Sequence, residues 1–135
     1  MPLISRINTN KMTDLIFKEE AYKIIGISME VHRSLGRGFS EIVYKDALEY
    51  EFNRNNILYE REKKYKIKYH DIILPHYYYA DFVVFDKIIL EVKCVSAIVD
   101  EHINQTLNYL AVSKCKLGLI VNFSKQSLEY KRVIL

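Results

Sequence analysis

Residues 80–93 run Ala80-Asp81-Phe82-Val83-Val84-Phe85-Asp86-Lys87-Ile88-Ile89-Leu90-Glu91-Val92-Lys93, which reads as a strand, a tight turn and a second strand. Side chains alternate between the two faces of a strand, so Glu91 and Lys93 point one way while Leu90 and Val92 point the other. Charged groups inside such an apolar hairpin are costly unless they are paired or bind metal. Two carboxylates that must approach each other want a divalent cation, and hard oxygen ligands suit Mg²⁺ or Mn²⁺. A lysine beside that cation polarises a phosphate or positions a water for in-line attack. The plainer reading is an ion-pair network, with Lys93 paired to either acid across the hairpin.

The turn decides whether Asp81 belongs with the other two. A two-residue turn at Asp86-Lys87 pairs Phe85 with Ile88 and sets Asp81 opposite Val92, on the wrong face. A three-residue loop pairs Phe85 with Ile89 and sets Asp81 opposite Lys93, on the right one. A metal site here therefore requires an odd loop or a bulge.

Outward from the hairpin, Ile24, Ile27, Val31 and Leu35 give residues 15–35 the spacing of an amphipathic helix. Gly36 and Gly38 end it. Ser40 is a good N-cap for a second helix running to about Asn55. Residues 57–69 alternate, with Tyr65, Ile67 and Tyr69 on one face and Lys64, Lys66 and Lys68 on the other: a half-exposed strand with a basic outer side. Those lysines either touch nucleic-acid phosphates or guard an edge strand against pairing. His70-Asp71 breaks that strand, and residues 72–79, with Pro75 inside, lead into the strand that carries Asp81. After Lys93 come a loop, a helix over 99–112, a short apolar strand over Leu117–Asn122, and a last strand or short element over Leu128–Leu135. The order is that of a mixed α/β domain with a central sheet.

The second helix opens on Glu41, which falls in line with Tyr44, Leu48 and Phe52 on the flank of the apolar stripe. It is either a partner for the helix dipole or an inward-facing ligand. In the helix over 99–112, Ile103, Leu107, Leu110 and Ala111 form the core stripe. Gln105 and Tyr109, four residues apart, share a face roughly opposite, with His102 near it. Their amide and hydroxyl suit a phosphodiester backbone; otherwise they are ordinary surface packing.

The chain has 135 residues, half of them hydrophobic, with four glycines and two prolines. That fits one domain and argues against low complexity. We expect residues 1–11 to be a flexible extension and residues 12–135 to form a single domain. The net charge of +3 permits a nucleic-acid partner without demanding one. Cys94 and Cys115 are too few for a disulfide framework or a four-ligand zinc site, so we expect free thiols in a reducing cytoplasm. No apolar run approaches the ~20 residues of a membrane span, and no signal-peptide layout opens the chain.

With these residues in view, the chain resembles the PD-(D/E)xK nuclease superfamily, and more closely the GxxExxY family within it. Gly38-Phe39-Ser40-Glu41-Ile42-Val43-Tyr44 matches that name motif. Asp81 and Glu91-Val92-Lys93 match the nuclease core, and Gln105-Thr106-Leu107-Asn108-Tyr109 matches the QxxxY motif of RecB-type exonucleases. The resemblance covers about residues 12–135. One departure is Ala80, where a proline usually precedes the first acid; that position shapes the turn rather than the chemistry. The resemblance implies a restriction-endonuclease-like core, a central four-stranded mixed β-sheet flanked by α-helices. It also implies that Glu41, Asp81 and Glu91 hold Mg²⁺ (or Mn²⁺) with the Val92 carbonyl, that Lys93 is catalytic, and that Gln105 and Tyr109 lie near the DNA backbone.

The expected function is therefore a Mg²⁺-dependent nuclease hydrolysing phosphodiester bonds in DNA, in repair or in defence against foreign DNA. The alternative is a non-catalytic nucleic-acid-binding or protein-interaction module that retains the metal site. Without a separate specificity domain, either version calls for a homo-oligomer or a protein partner.

Overall fold

The computed structural model describes residues 16–135. The extension expected over residues 1–11 lies outside them. Helix α1 spans Lys18–Leu35, α2 Glu41–Arg54 and α3 Asp100–Ser113; the strands are β1 Tyr59–Tyr69, β2 Ile72–Val84, β3 Ile88–Lys93, β4 Leu117–Asn122 and β5 Glu129–Ile134. The strands form one mixed sheet in the order β1-β2-β3-β4-β5. Only β3 and β4 are parallel, and α3 is the crossover that parallel neighbours need. The sheet has five strands rather than the four expected, because the last segment pairs antiparallel with β4 along its whole length.

Helices α1 and α2 cover one face. Ala21, Ile24, Tyr44, Leu48 and Phe52 pack there against Phe82, Leu90, Val92, Leu119 and Val121. Helix α3 covers the other face, where Tyr109 and Leu110 meet Ala80, Ile89, Ile120 and Val133. At Gly118 on β4 a Cβ would lie 2.5 Å from the Thr106 methyl, so the glycine is what lets α3 come this close. That approach sets the rotation of α3. Its buried residues are Thr106, Tyr109 and Leu110, with Ile103 and Leu107 partly buried and Ala111 exposed. The stripe read from apolar residue types is thus turned toward Thr106 and Tyr109.

The α1–α2 connection explains two residues of the Gly-x-x-Glu-x-x-Tyr stretch. Gly36 and Gly38 take φ of 70° and 112°, in the region that favours glycine. Fully buried Tyr44 stacks on Phe123 at 4.3 Å, donates its hydroxyl hydrogen to Gly36 O and accepts the Phe39 N–H. Ser40 precedes α2 in an extended conformation, but its side chain makes no capping hydrogen bond; the Tyr44 hydroxyl is what ties the loop down.

The β1–β2 hairpin is longer than expected, because residues 72–79 belong to β2. Pro75 is accommodated by a register shift in which residues 74–76 of β2 stand opposite Ile67 alone. A second irregularity falls at Glu62, with φ of 54°. Before it, Arg61 and Phe82 face α2, where Arg61 pairs with Asp46 and Glu49. Beyond it, Tyr65 and Tyr78 pack toward α3, Tyr78 edge-on to Tyr109 at 5.3 Å. Arg61 and Tyr65 would share a face in a regular strand, so the ribbon exchanges its faces at Glu62 and at Asp81 across from it.

Candidate active site

The β2–β3 turn is an odd loop, as the site requires. It is Phe85-Asp86-Lys87, closed by the pair Val84–Ile88, with Phe85 and Asp86 at φ of 57° and 60°. A bulky residue at such a φ is unfavourable. Phe85 is held there by donating its N–H to Leu58 O at 2.8 Å and by packing its ring against the core. The loop is one residue earlier than expected, so continuing the register sets Asp81 opposite Glu91 rather than Lys93.

Between β2 and β3 the paired residues end at Phe82–Leu90, where β2 begins to leave β3. In place of further ladder bonds, the two carboxylates take up the exposed backbone donors. The Asp81 N–H donates to Glu91 Oε2 at 2.8 Å, and the Val92 N–H donates to Asp81 Oδ2 at 2.8 Å. Asp81 and Glu91 thus converge where the strands part. Glu91 is 2 % exposed. Burial, and then the neighbouring Asp81 charge, push its carboxyl from the ordinary 4.5 up to about 8.

Lys93 Nζ donates to Gln105 Oε1 at 2.9 Å, which brings the two sequence motifs together. Tyr109 is buried, not off the core face as its helix position suggested. Burial first, and then the charges of Glu91 and Asp81, push its phenol up to about 12, so it stays a hydrogen-bond donor at the site's edge. Tyr78, Asn104, Gln105, Asn108 and Tyr109 line a groove of about 390 Å³ leading along α3. The larger cavity, about 660 Å³ between α1 and α2, is remote from these residues.

Glu41 is exposed at the first turn of α2. It lies near the end of β3: burial, and then the Glu41 charge, raise the Cys94 thiol. Among the described residues no three of His, Cys, Asp or Glu come close enough together to hold a metal ion. The converging pair is Asp81 and Glu91, and Glu41 stands apart from it. Lys64, Lys66 and Lys68 are exposed along β1, outside this cluster.

Two residues that sequence reading passed over complete the constellation. Lys45 Nζ lies 2.7 Å from Asp81 Oδ1 and 2.7 Å from Glu62 Oε1. Burial pulls the Lys45 ammonium down, but its hydrogen bonds to Asp81 and Glu62 outweigh that and hold it above its ordinary value. Lys45 follows Glu41 by one helical turn, a spacing visible in the sequence. Glu62 carried no signal, since only the distortion of β1 turns it toward Asp81. Beyond Lys93, fully buried Asn122 bonds Val95 at both N–H and C=O, tying the ends of β3 and β4.

The crystal structure of SSO0001 is similar to this chain, with a TM-score of 0.56 at 18 % identity, over 68 % of this chain and 48 % of that one. The likeness is one of fold, and the chain spans about half the length of that protein. No curated protein matches the chain. A family model described as the PD-(D/E)XK nuclease superfamily matches residues 18–133, which runs from the start of α1 into β5 and takes in every residue of the cluster. With the two acids converging at the parting strands and Lys93 beside them, this chain belongs to the PD-(D/E)XK nuclease superfamily.

Proposed function

We propose that residues 12–135 form a single divalent-metal-dependent nuclease domain that hydrolyses phosphodiester bonds in DNA, and that the chain falls in the GxxExxY group of its superfamily. The observation that carries this reading is the convergence of Asp81 and Glu91 where β2 leaves β3. The donor set fits a hard cation: two converging carboxylates with the Val92 carbonyl adjacent, and a Glu91 carboxyl that burial, and then the neighbouring Asp81 charge, make costly to ionise without a cation. Mg²⁺ or Mn²⁺ would be held there by Asp81, Glu91 and the Val92 carbonyl, with Glu41 of α2 joining as a further ligand once the ion is bound, and would supply Lewis acidity toward the scissile phosphate.

The chain's own residues do the rest. Lys93 brings a positive charge to the phosphate oxygens, where charge grows in the transition state. Gln105 holds the Lys93 ammonium in place and offers its amide to the backbone of the substrate. Tyr109 keeps its proton and donates from the groove wall. Lys64, Lys66 and Lys68 contribute phosphate contacts along β1. We place the protein in the cytoplasm, acting on DNA in repair or defence, as a homo-oligomer or with a protein partner; no helix among the described residues is long and apolar enough to cross a membrane.

The second reading is a binding module without catalysis, favoured by the exposure of Glu41 and by Lys45 occupying Asp81. Incubation with linear, circular and single-stranded DNA in Mg²⁺, Mn²⁺ or EDTA tests the first reading. Metal-dependent cutting supports it, and binding without cutting on every substrate favours the second.

A further inference from the structure

The oxygens of Asp81 are not equivalent. Oδ2 accepts the Val92 N–H, so Oδ1 is the one left to meet a cation, and it is held by the Lys45 ammonium at 2.7 Å. This ammonium is no surface accident. The Lys45 side chain is 12 % exposed, it comes from a different layer than the hairpin, and it bridges to Glu62 at the same distance. Lys93 is engaged elsewhere, by Gln105. The two lysines therefore have separate jobs.

An ammonium and a divalent cation on the same carboxylate oxygen repel each other strongly in a partly desolvated site. Lys45 already has a second partner, Glu62, which is more exposed and sits at the distorted residue of β1. Resting on the site reading above, we propose that Lys45 is the resident counter-ion of Asp81, which competes with the divalent cation and is displaced onto Glu62 when that cation binds. Lys45 is then a positioning residue that sets metal affinity and stabilises the metal-free fold, and it is not a ligand.

The test is a Mn²⁺ titration by calorimetry, with metal-free melting measured alongside, on the parent, Lys45→Met, Lys45→Arg and Asp81→Asn. Lys45→Gln stands in if the methionine variant does not fold. Displacement predicts that the neutral variants melt lower without metal yet bind Mn²⁺ at least tenfold more tightly, while Lys45→Arg keeps affinity near that of the parent. Equal or weaker Mn²⁺ binding by the neutral variants, with Asp81→Asn losing it, overturns this inference alone and leaves the metal site standing. Mn²⁺ binding by Asp81→Asn as tight as the parent's, or none by the parent, overturns the site reading and this inference with it.

Discussion

Asp81 and Glu91 hold each other in place through the backbone: Asp81 gives its N–H to the Glu91 carboxylate, and its own carboxylate takes the N–H of Val92, next to Glu91. Each acid thereby replaces a ladder bond lost where the strands part. The pair is fixed by the fold before any ligand arrives.

The pH dependence of stability follows from Glu91. Its carboxyl is raised in the folded chain, from 4.5 to about 8, so the folded state holds the proton more tightly than the unfolded state does. The contribution is fully present below the unfolded value and is lost as pH rises through this window. Metal-free melting temperature should fall between those pH values, and Glu91→Gln, which is neutral throughout, should flatten the fall and melt higher at pH 8, by about 3 °C or more. Parallel pH profiles for parent and variant would remove Glu91 as the source.

Metal should act in the opposite direction. Mg²⁺ or Mn²⁺ binding the folded chain should raise the melting temperature by mass action, and Asp81→Asn should weaken this response while costing the metal-free protein its ion pair with Lys45. Thermal scans against metal concentration measure both. An unchanged metal response in Asp81→Asn would exclude Asp81 as a ligand.

Packing of α3 offers a check on the fold that is independent of chemistry. A Cβ on Gly118 would lie 2.5 Å from the Thr106 methyl. Gly118→Ala should destabilise by about 1–3 kcal/mol, the usual range for overpacking. Thr106→Ser removes that methyl and keeps the hydroxyl bonded to His102 O, so the double variant should recover much of the loss. Urea unfolding of the four proteins gives the coupling, and additive effects would contradict the contact.

The lysines of β1 are testable through salt. If Lys64, Lys66 and Lys68 touch phosphates, replacing all three with Gln should weaken DNA binding and lower the slope of log affinity against log salt by roughly 0.7–0.9 per contact. An unchanged slope would leave them as guards of an exposed edge strand.

The sequence made some of this legible for physical reasons. Alternation over residues 80–93 forces Glu91 and Lys93 onto one face and requires an odd loop for Asp81 to join them, and the chain has such a loop. Glycines at 36 and 38 marked the end of α1. What it concealed depends on contacts between distant segments. The register of Asp81 against Glu91 turns on Phe85 and Asp86 adopting positive φ, which Asp tolerates but a phenylalanine does not announce. Lys45 and Glu62 reach Asp81 only because the β1–β2 ribbon exchanges faces at Glu62. By residue type Tyr109 lies off the core, because Thr106 counts as polar, whereas Gly118 draws that side of α3 onto the sheet.

In the proposed mechanism Lys93 acts on the phosphate in the transition state, held by Gln105 and apart from the cation. The most direct measurement is the single-turnover cleavage rate of DNA with Mn²⁺ for the parent and Lys93→Ala, prepared in parallel, with binding of the same DNA measured beside it. Removal of a charge that stabilises only the transition state should slow cutting by about 100-fold or more and leave metal-dependent binding little changed. Gln105→Ala should lose less rate than Lys93→Ala. Equal cutting by parent and Lys93→Ala would mean that the site is misread or that the activity belongs to a contaminant.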